Sequence, residues 1–296
     1  MITLKGCGTA LVTPFEGGEV DYEAYASLVD RQVSEGVDFL VALATTGETP
    51  TLSREEKARL LQITNAHSGG IPVVVGCGSN SVSGTMDNIN LLEPYGVDAW
   101  LLVVPFYNKP TQEGMYRYFK TIADNVSKPV VIYNVPGRTG ANMLPATCLR
   151  LARDVHNIVG IKEASGKMDQ VKEILKGSPD SFAVLSGDDD MTLEMMKHGA
   201  QGVISVASNL VPSQLSRMCS LALEARQRGG SWEEAEKIDK SLQRLFGACF
   251  VESNPIPVKA GLSLMGLCGK EMRLPLTEAT PQTSALMSEL LRQVCR

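Results

Sequence analysis

Lys162 ends an apolar run, Asn157-Ile158-Val159-Gly160-Ile161-Lys162, at a place where a charge has no structural use. The run reads as a buried strand of a parallel sheet. Burial in low dielectric disfavours the charged form of a lysine and leaves a nucleophilic amine near neutral pH. Such an amine attacks a carbonyl to form a Schiff base, the covalent device of aldolase-type lyases. The competing reading is a lysine that caps a strand and snorkels into water. Schiff-base chemistry on a keto acid also needs a carboxylate cradle, a proton carrier, and a way to make and quench an enamine. Thr45-Thr46-Gly47 offers two hydroxyls and close backbone N–H groups just before a helix start. Tyr133 and Tyr107 carry phenols that donate and accept, so chained hydroxyls could pass a proton to or from the imine. Arg138 presents a planar fork suited to a second carboxylate. Each has a plainer reading in isolation: an ordinary turn, packed tyrosines, a solvated arginine.

The elements that must position these residues alternate through most of the chain. Short β-branched runs at 8–13, 39–44, 72–76, 99–104, 129–133, 158–162, 182–185 and 202–206 read as strands. Amphipathic stretches such as 22–35, 54–67, 115–125 and 192–198 read as helices. Ser53 followed by Glu56 forms a capping box, and Thr111 precedes Glu113 at another first turn. Alternation of this kind calls for an α/β fold with a parallel sheet. Eight strands within residues 8–206 suit a closed (β/α)8 TIM barrel better than an open sheet. Gly6-Cys7-Gly8 is placed before the first strand, where a dinucleotide fingerprint would have to follow it. Residues 231–250, 257–267 and 281–294 read as helices without intervening strands. The expectation is a barrel over 1–230 and a C-terminal helical extension over 231–296, packed on it. Barrel enzymes place chemistry at the C-terminal ends of the strands. There Lys162 would face Tyr133, Tyr107 and the two threonines.

The bulk properties narrow the class. A 296-residue chain with 44% hydrophobic and 21% charged residues has the balance of a soluble globular protein. A net charge of −5 without a Lys/Arg cluster argues against nucleic acid as a partner. Cysteines at 7, 77, 148, 219, 249, 268 and 295 are scattered and odd in number, which suggests reduced thiols and a cytoplasmic location. The start, Met1-Ile2-Thr3-Leu4-Lys5-Gly6, lacks the build of a signal peptide. No apolar run approaches the ~20 residues of a membrane helix, so no membrane partner is expected. His67, His156 and His198 lie far apart and form no ligand-spaced pair, so no metal is expected. No cofactor is expected either.

The motifs themselves carry a resemblance. Thr45-Thr46-Gly47-Glu48, the stretch YNVPGRTG from Tyr133 to Gly140 and GIKEASG from Gly160 to Gly166 are similar to those of the dihydrodipicolinate synthase (4-hydroxy-tetrahydrodipicolinate synthase) family, within the N-acetylneuraminate lyase superfamily. TALVTPF from Thr9, NPIPVK from Asn254 and RLPL from Arg273 extend it end to end. The resemblance implies a barrel that condenses pyruvate with L-aspartate 4-semialdehyde in the diaminopimelate route of lysine biosynthesis. It implies that Lys162 forms the imine and Tyr133 carries the proton, with Thr45 and Tyr107 completing the relay. Thr46 would hold the pyruvate carboxylate, and Gly187 and Ile204 would line its pocket through backbone groups. Arg138 would receive the carboxylate of the semialdehyde, a residue that sugar-acid lyases of the superfamily generally lack. The residue matching Tyr107 crosses a dimer interface in the family, which implies a homotetramer built as a dimer of dimers.

Some positions depart from the family pattern. Ala44 stands where many relatives have glycine. Lysine-inhibited members carry an acidic residue, a tyrosine and a histidine near the dimer cleft; the matching places here hold Gly84, Phe106 and Lys57, while Asn80 is retained. Losing an acceptor and adding positive charge both oppose binding of a cationic amino acid, so weak or absent inhibition by L-lysine is expected. The rival readings are a pyruvate-dependent lyase of N-acetylneuraminate or 2-keto-3-deoxygluconate, a pyridoxal-phosphate enzyme, and a non-catalytic binding protein on the same barrel.

Overall fold

Among the β-branched runs, eight become strands that close on one another. They are β1 Gly6–Ala10, β2 Phe39–Ala42, β3 Val73–Gly76, β4 Ala99–Val103, β5 Val130–Asn134, β6 Ile158–Glu163, β7 Ala183–Ser186 and β8 Gly202–Ser205. All pair in parallel, and β1 lies between β2 and β8, which closes the barrel. The computed structural model describes residues 2 and 4–294, so Cys295 and parts of the amino-terminal start lie outside the described residues. Because the strands are buried on both faces, their sequences lack polar alternation. The two-residue period still sorts the side chains. Phe39 and Val41 fill the barrel interior, while Leu40 and Ala42 pack outward under the helices.

The first strand begins earlier than the sequence suggests. Gly6-Cys7-Gly8 does not precede it but forms its first half, paired with Gly202–Ile204. A Cβ on Gly8 would run into the Phe39 ring, and one on Gly6 would meet the Asp38 carboxylate, while the φ of 82° at Gly6 also favours glycine. That carboxylate accepts the Cys7 N–H at 2.7 Å. The GxG is therefore a packing feature of the barrel floor.

The helices start where capping side chains satisfy the first free N–H groups. Ser53 Oγ accepts from Glu56 N at 3.1 Å while Glu56 Oε2 accepts from Ser53 N at 2.7 Å, completing the capping box of Arg54–His67. Thr111 caps Gln112–Ala123, which begins three residues ahead of the apolar periodicity because its first turn is polar. After β8 the chain forms Pro212–Arg228, then Glu233–Ala248, Ile256–Leu264 and Pro281–Val294. Glu233–Ala248 packs on Pro212–Arg228, and Ile256–Leu264 lies against Pro281–Val294. Among the described residues no helix is long and apolar enough to cross a membrane.

Candidate active site

Lys162 is the register partner of Tyr133, at the exits of β6 and β5. The alternation of a strand aims both into the mouth, and the residues that follow them face outward. There Glu163 accepts from Asn134 Nδ2 at 3.0 Å, Gln170 Nε2 at 3.2 Å and the Ser165 N–H at 2.8 Å. Asn134 Nδ2 also donates to Asn142 Oδ1. Burial pushes the Glu163 carboxyl up, and these hydrogen bonds oppose the push. This outer network pins the two strand exits, and with them the inward pair. Lys162 is 4% exposed and Tyr133 7%. The Lys162 ammonium nitrogen lies 4.3 Å from the centre of the Tyr133 ring.

Thr45–Gly47 forms a single tight turn after β2. Thr13 Oγ1 donates to the Gly47 carbonyl at 2.7 Å, and Gly47 N donates to the Ala44 carbonyl at 3.0 Å. Glu48 then takes a left-handed conformation, φ 52°, unusual for a residue with a side chain. A fully buried ion pair holds it there: Lys259 Nζ to Glu48 Oε1 is 2.8 Å. Glu48 Oε2 accepts from the Arg273 N–H at 3.2 Å, and Lys259 donates to the Glu271 carbonyl at 2.6 Å. The Thr45–Gly47 turn is thus fastened to the helical extension. A second tie comes from Asn254, whose Nδ2 lies 3.0 Å from Thr46 Oγ1 and whose carbonyl accepts from Arg138 at 3.2 Å.

The third wall is the exit of β7. A Cβ on Gly187 would come within 3.1 Å of Lys162 Cε and 2.6 Å of Ala164 Cβ, so only glycine leaves room beside the lysine. Asp188 follows, its carboxyl pushed up to about 6, first by burial, then by Asp190, with the Lys162 charge acting the other way. Asp189 is fully buried and joins β7 to β8 by accepting the N–H groups of Val206 and Ala207. Lys162 therefore sits among carboxylates as well as apolar groups, a more mixed setting than its strand sequence suggests.

Thr45, Thr46, Tyr133, Arg138, Lys162 and Gly187 all line this one pocket. Ile204 is buried in the barrel interior with Tyr133 and Ala44, beneath it. Tyr107 does not join them within this chain. It is 89% exposed, at φ 72°, on a loop after β4 that turns away from the pocket. The expectation that it faces Lys162 does not hold within the single chain, where its side chain is exposed on the loop after β4. Asn254, Asp188 and Phe250 also line the pocket. Sequence reasoning missed them as site residues: Asn254 meets its partner across 208 positions, and no local pattern marks that contact. A broader depression at the opposite end of the barrel, bordered by Pro72, Asp98 and Lys128, gathers no comparable set. His67 pairs with Asp30 and His198 with Glu194, away from the mouth.

Comparison with known proteins gives the same fold and the same length. The model of the Dihydrodipicolinate synthetase family matches residues 3–294. A 4-hydroxy-tetrahydrodipicolinate synthase of Thermotoga neapolitana is 46% identical over 293 residues, 98% of each chain. The crystal structure of a dihydrodipicolinate synthase from Thermotoga maritima has a TM-score of 0.94 at 43% identity, covering 98% of both chains. A structure described as the first monomeric dihydrodipicolinate synthase variant also scores 0.94, at 43% identity, covering 98% of this chain and 96% of that one. With a similarity that runs through the strands, the mouth and the helical extension alike, the chain belongs to the dihydrodipicolinate synthetase family.

Proposed function

We propose that the chain condenses pyruvate with L-aspartate 4-semialdehyde, as a 4-hydroxy-tetrahydrodipicolinate synthase. The observation that carries this reading is a buried lysine sharing one pocket with a tyrosine, two threonines and an arginine. Lys162 Nζ attacks the keto carbon of pyruvate, and loss of water leaves an imine. A proton leaves the methyl carbon to give the enamine, whose carbon attacks the aldehyde of the second substrate. The amine of that substrate then attacks the imine carbon, closes the ring and releases Lys162. Tyr133 moves the protons, with Thr45 beside it. Thr46 holds the pyruvate carboxylate, while Gly187 and Ile204 shape the space through their backbones. Arg138 receives the second carboxylate, an end-on role that a guanidinium fork suits.

Tyr107 belongs to the same relay only if another copy of the chain brings it in. Its exposure and positive φ support a role at an interface between copies, in a dimer of dimers. L-Lysine is a weak inhibitor or none at all. Gly84 is crowded, since a Cβ there would meet Ser79 Oγ at 2.9 Å and Ser81 Oγ at 3.0 Å, which leaves little room for an acidic side chain. Burial, and then Arg54, push the Lys57 ammonium down, so that neighbourhood already disfavours one cation. Borohydride reduction with pyruvate tests the central step. A pyruvate-sized mass increase on Lys162, absent in Lys162→Ala together with synthase turnover, supports the reading; full turnover by Lys162→Ala refutes it.

A further inference from the structure

Asn254 touches both halves of the mouth yet belongs to neither the barrel strands nor their loops. It lies between helices Glu233–Ala248 and Ile256–Leu264, 5% exposed. Its Nδ2 approaches Thr46 Oγ1 at 3.0 Å, and its backbone carbonyl takes the Arg138 guanidinium at 3.2 Å. Its Oδ1 is buried without a partner among the described residues.

A hydroxyl has one proton and can also accept. When Asn254 Nδ2 donates to Thr46 Oγ1, an acceptor site of that oxygen is filled and its proton is left to point elsewhere. An amide turned the other way would draw the Thr46 proton to itself. The orientation present makes Thr46 a donor into the pocket, which is what a carboxylate requires. We propose that Asn254 is a positioning residue for the keto-acid carboxylate, acting through the Thr46 hydroxyl. The inference rests on the reading of Thr46 given above. It also divides the two substrates: Arg138 uses the Asn254 backbone, so changing the side chain alters pyruvate binding and leaves semialdehyde binding alone.

The alternative, that Asn254 only fills space, makes the opposite forecast for an isosteric change. The substitution Asn254→Asp would keep the shape but present an acceptor, turning the Thr46 proton away and placing negative charge beside a carboxylate. The test uses the full chain as Asn254→Ala, Asn254→Asp, Thr46→Val and the double variant Thr46→Val/Asn254→Ala. Pyruvate dependence of the borohydride-trapped adduct and KM for each substrate are read alongside thermal unfolding. The half-saturating pyruvate concentration should rise about 10-fold in Asn254→Ala, equivalent to about 1.4 kcal/mol. It should rise further in Asn254→Asp, with the semialdehyde KM unchanged in both. The double variant should bind pyruvate no worse than Thr46→Val. The inference is overturned if Asn254→Asp binds pyruvate better than Asn254→Ala, or if the two losses add in the double variant. Should Asn254→Asp fail to fold, additivity alone decides. If the unsubstituted chain traps no adduct, the Schiff-base reading falls first and takes this one with it.

Discussion

At the scale of single residues, the mouth combines groups whose environments pull in different directions. Asp188 is the clearest case, with its carboxyl pushed up to about 6 by burial and by Asp190. A raised carboxyl pKa means the folded state binds more protons than the unfolded chain between the ordinary value and about 6. Stability therefore falls as pH rises through that window, and the full cost is present above it. A neutral side chain of the same shape escapes the cost. Asp188→Asn should stabilise the chain at pH 7.5 by on the order of 2–3 kcal/mol, and the gain should shrink to about 0.5 kcal/mol near pH 4. Calorimetry at the two pH values checks this; an equal gain at both would mean that packing rather than ionisation is responsible.

Elements, rather than residues, explain why the Thr45–Gly47 turn stays in place. It has few bonds of its own and is held from outside, through Glu48, by Lys259 on Ile256–Leu264 and by the N–H of Arg273. Breaking a buried ion pair on one side strands the other charge, at about 3–5 kcal/mol. Lys259→Met should lower urea resistance by that order, and adding Glu48→Gln should recover part of the loss. If the double variant is as unstable as the sum of the singles, the pair is not the fastening. Much of this architecture was legible in the residues. The β-branched runs announced eight strands, Ser53 and Glu56 announced a helix start, and Lys162, charged in an apolar segment, marked the pocket at the strand exits. Other parts were not. The polar turn Gln112-Glu113-Gly114 hid the beginning of its helix from the apolar period. Gly6 and Cys7 lie ahead of the β-branched run that marked the first strand, and the crowding that calls for glycine at 6 and 8 comes from Asp38 and Phe39, far along the chain. The ties from Asn254 and Lys259 depend on tertiary proximity, which no local pattern encodes.

For the whole molecule, the pocket of one chain holds six of the eight residues expected at the site, with Ile204 beneath them and Tyr107 pointing away. The outward loop bears on regulation too, since Phe106 precedes Tyr107 and is itself exposed. Millimolar L-lysine should leave the steady-state rate within about twofold of its uninhibited value, because a cationic ligand would meet Lys57 and find no carboxylate at Gly84. A rate halved or worse by sub-millimolar L-lysine would contradict this.

The fastening between Glu48 and Lys259 spans 211 positions, and that between Thr46 and Asn254 spans 208. A ribosome must therefore release nearly the entire polypeptide before the mouth acquires its final shape. The mouth is thus completed late in synthesis, after the strands that carry Tyr133 and Lys162 have already emerged.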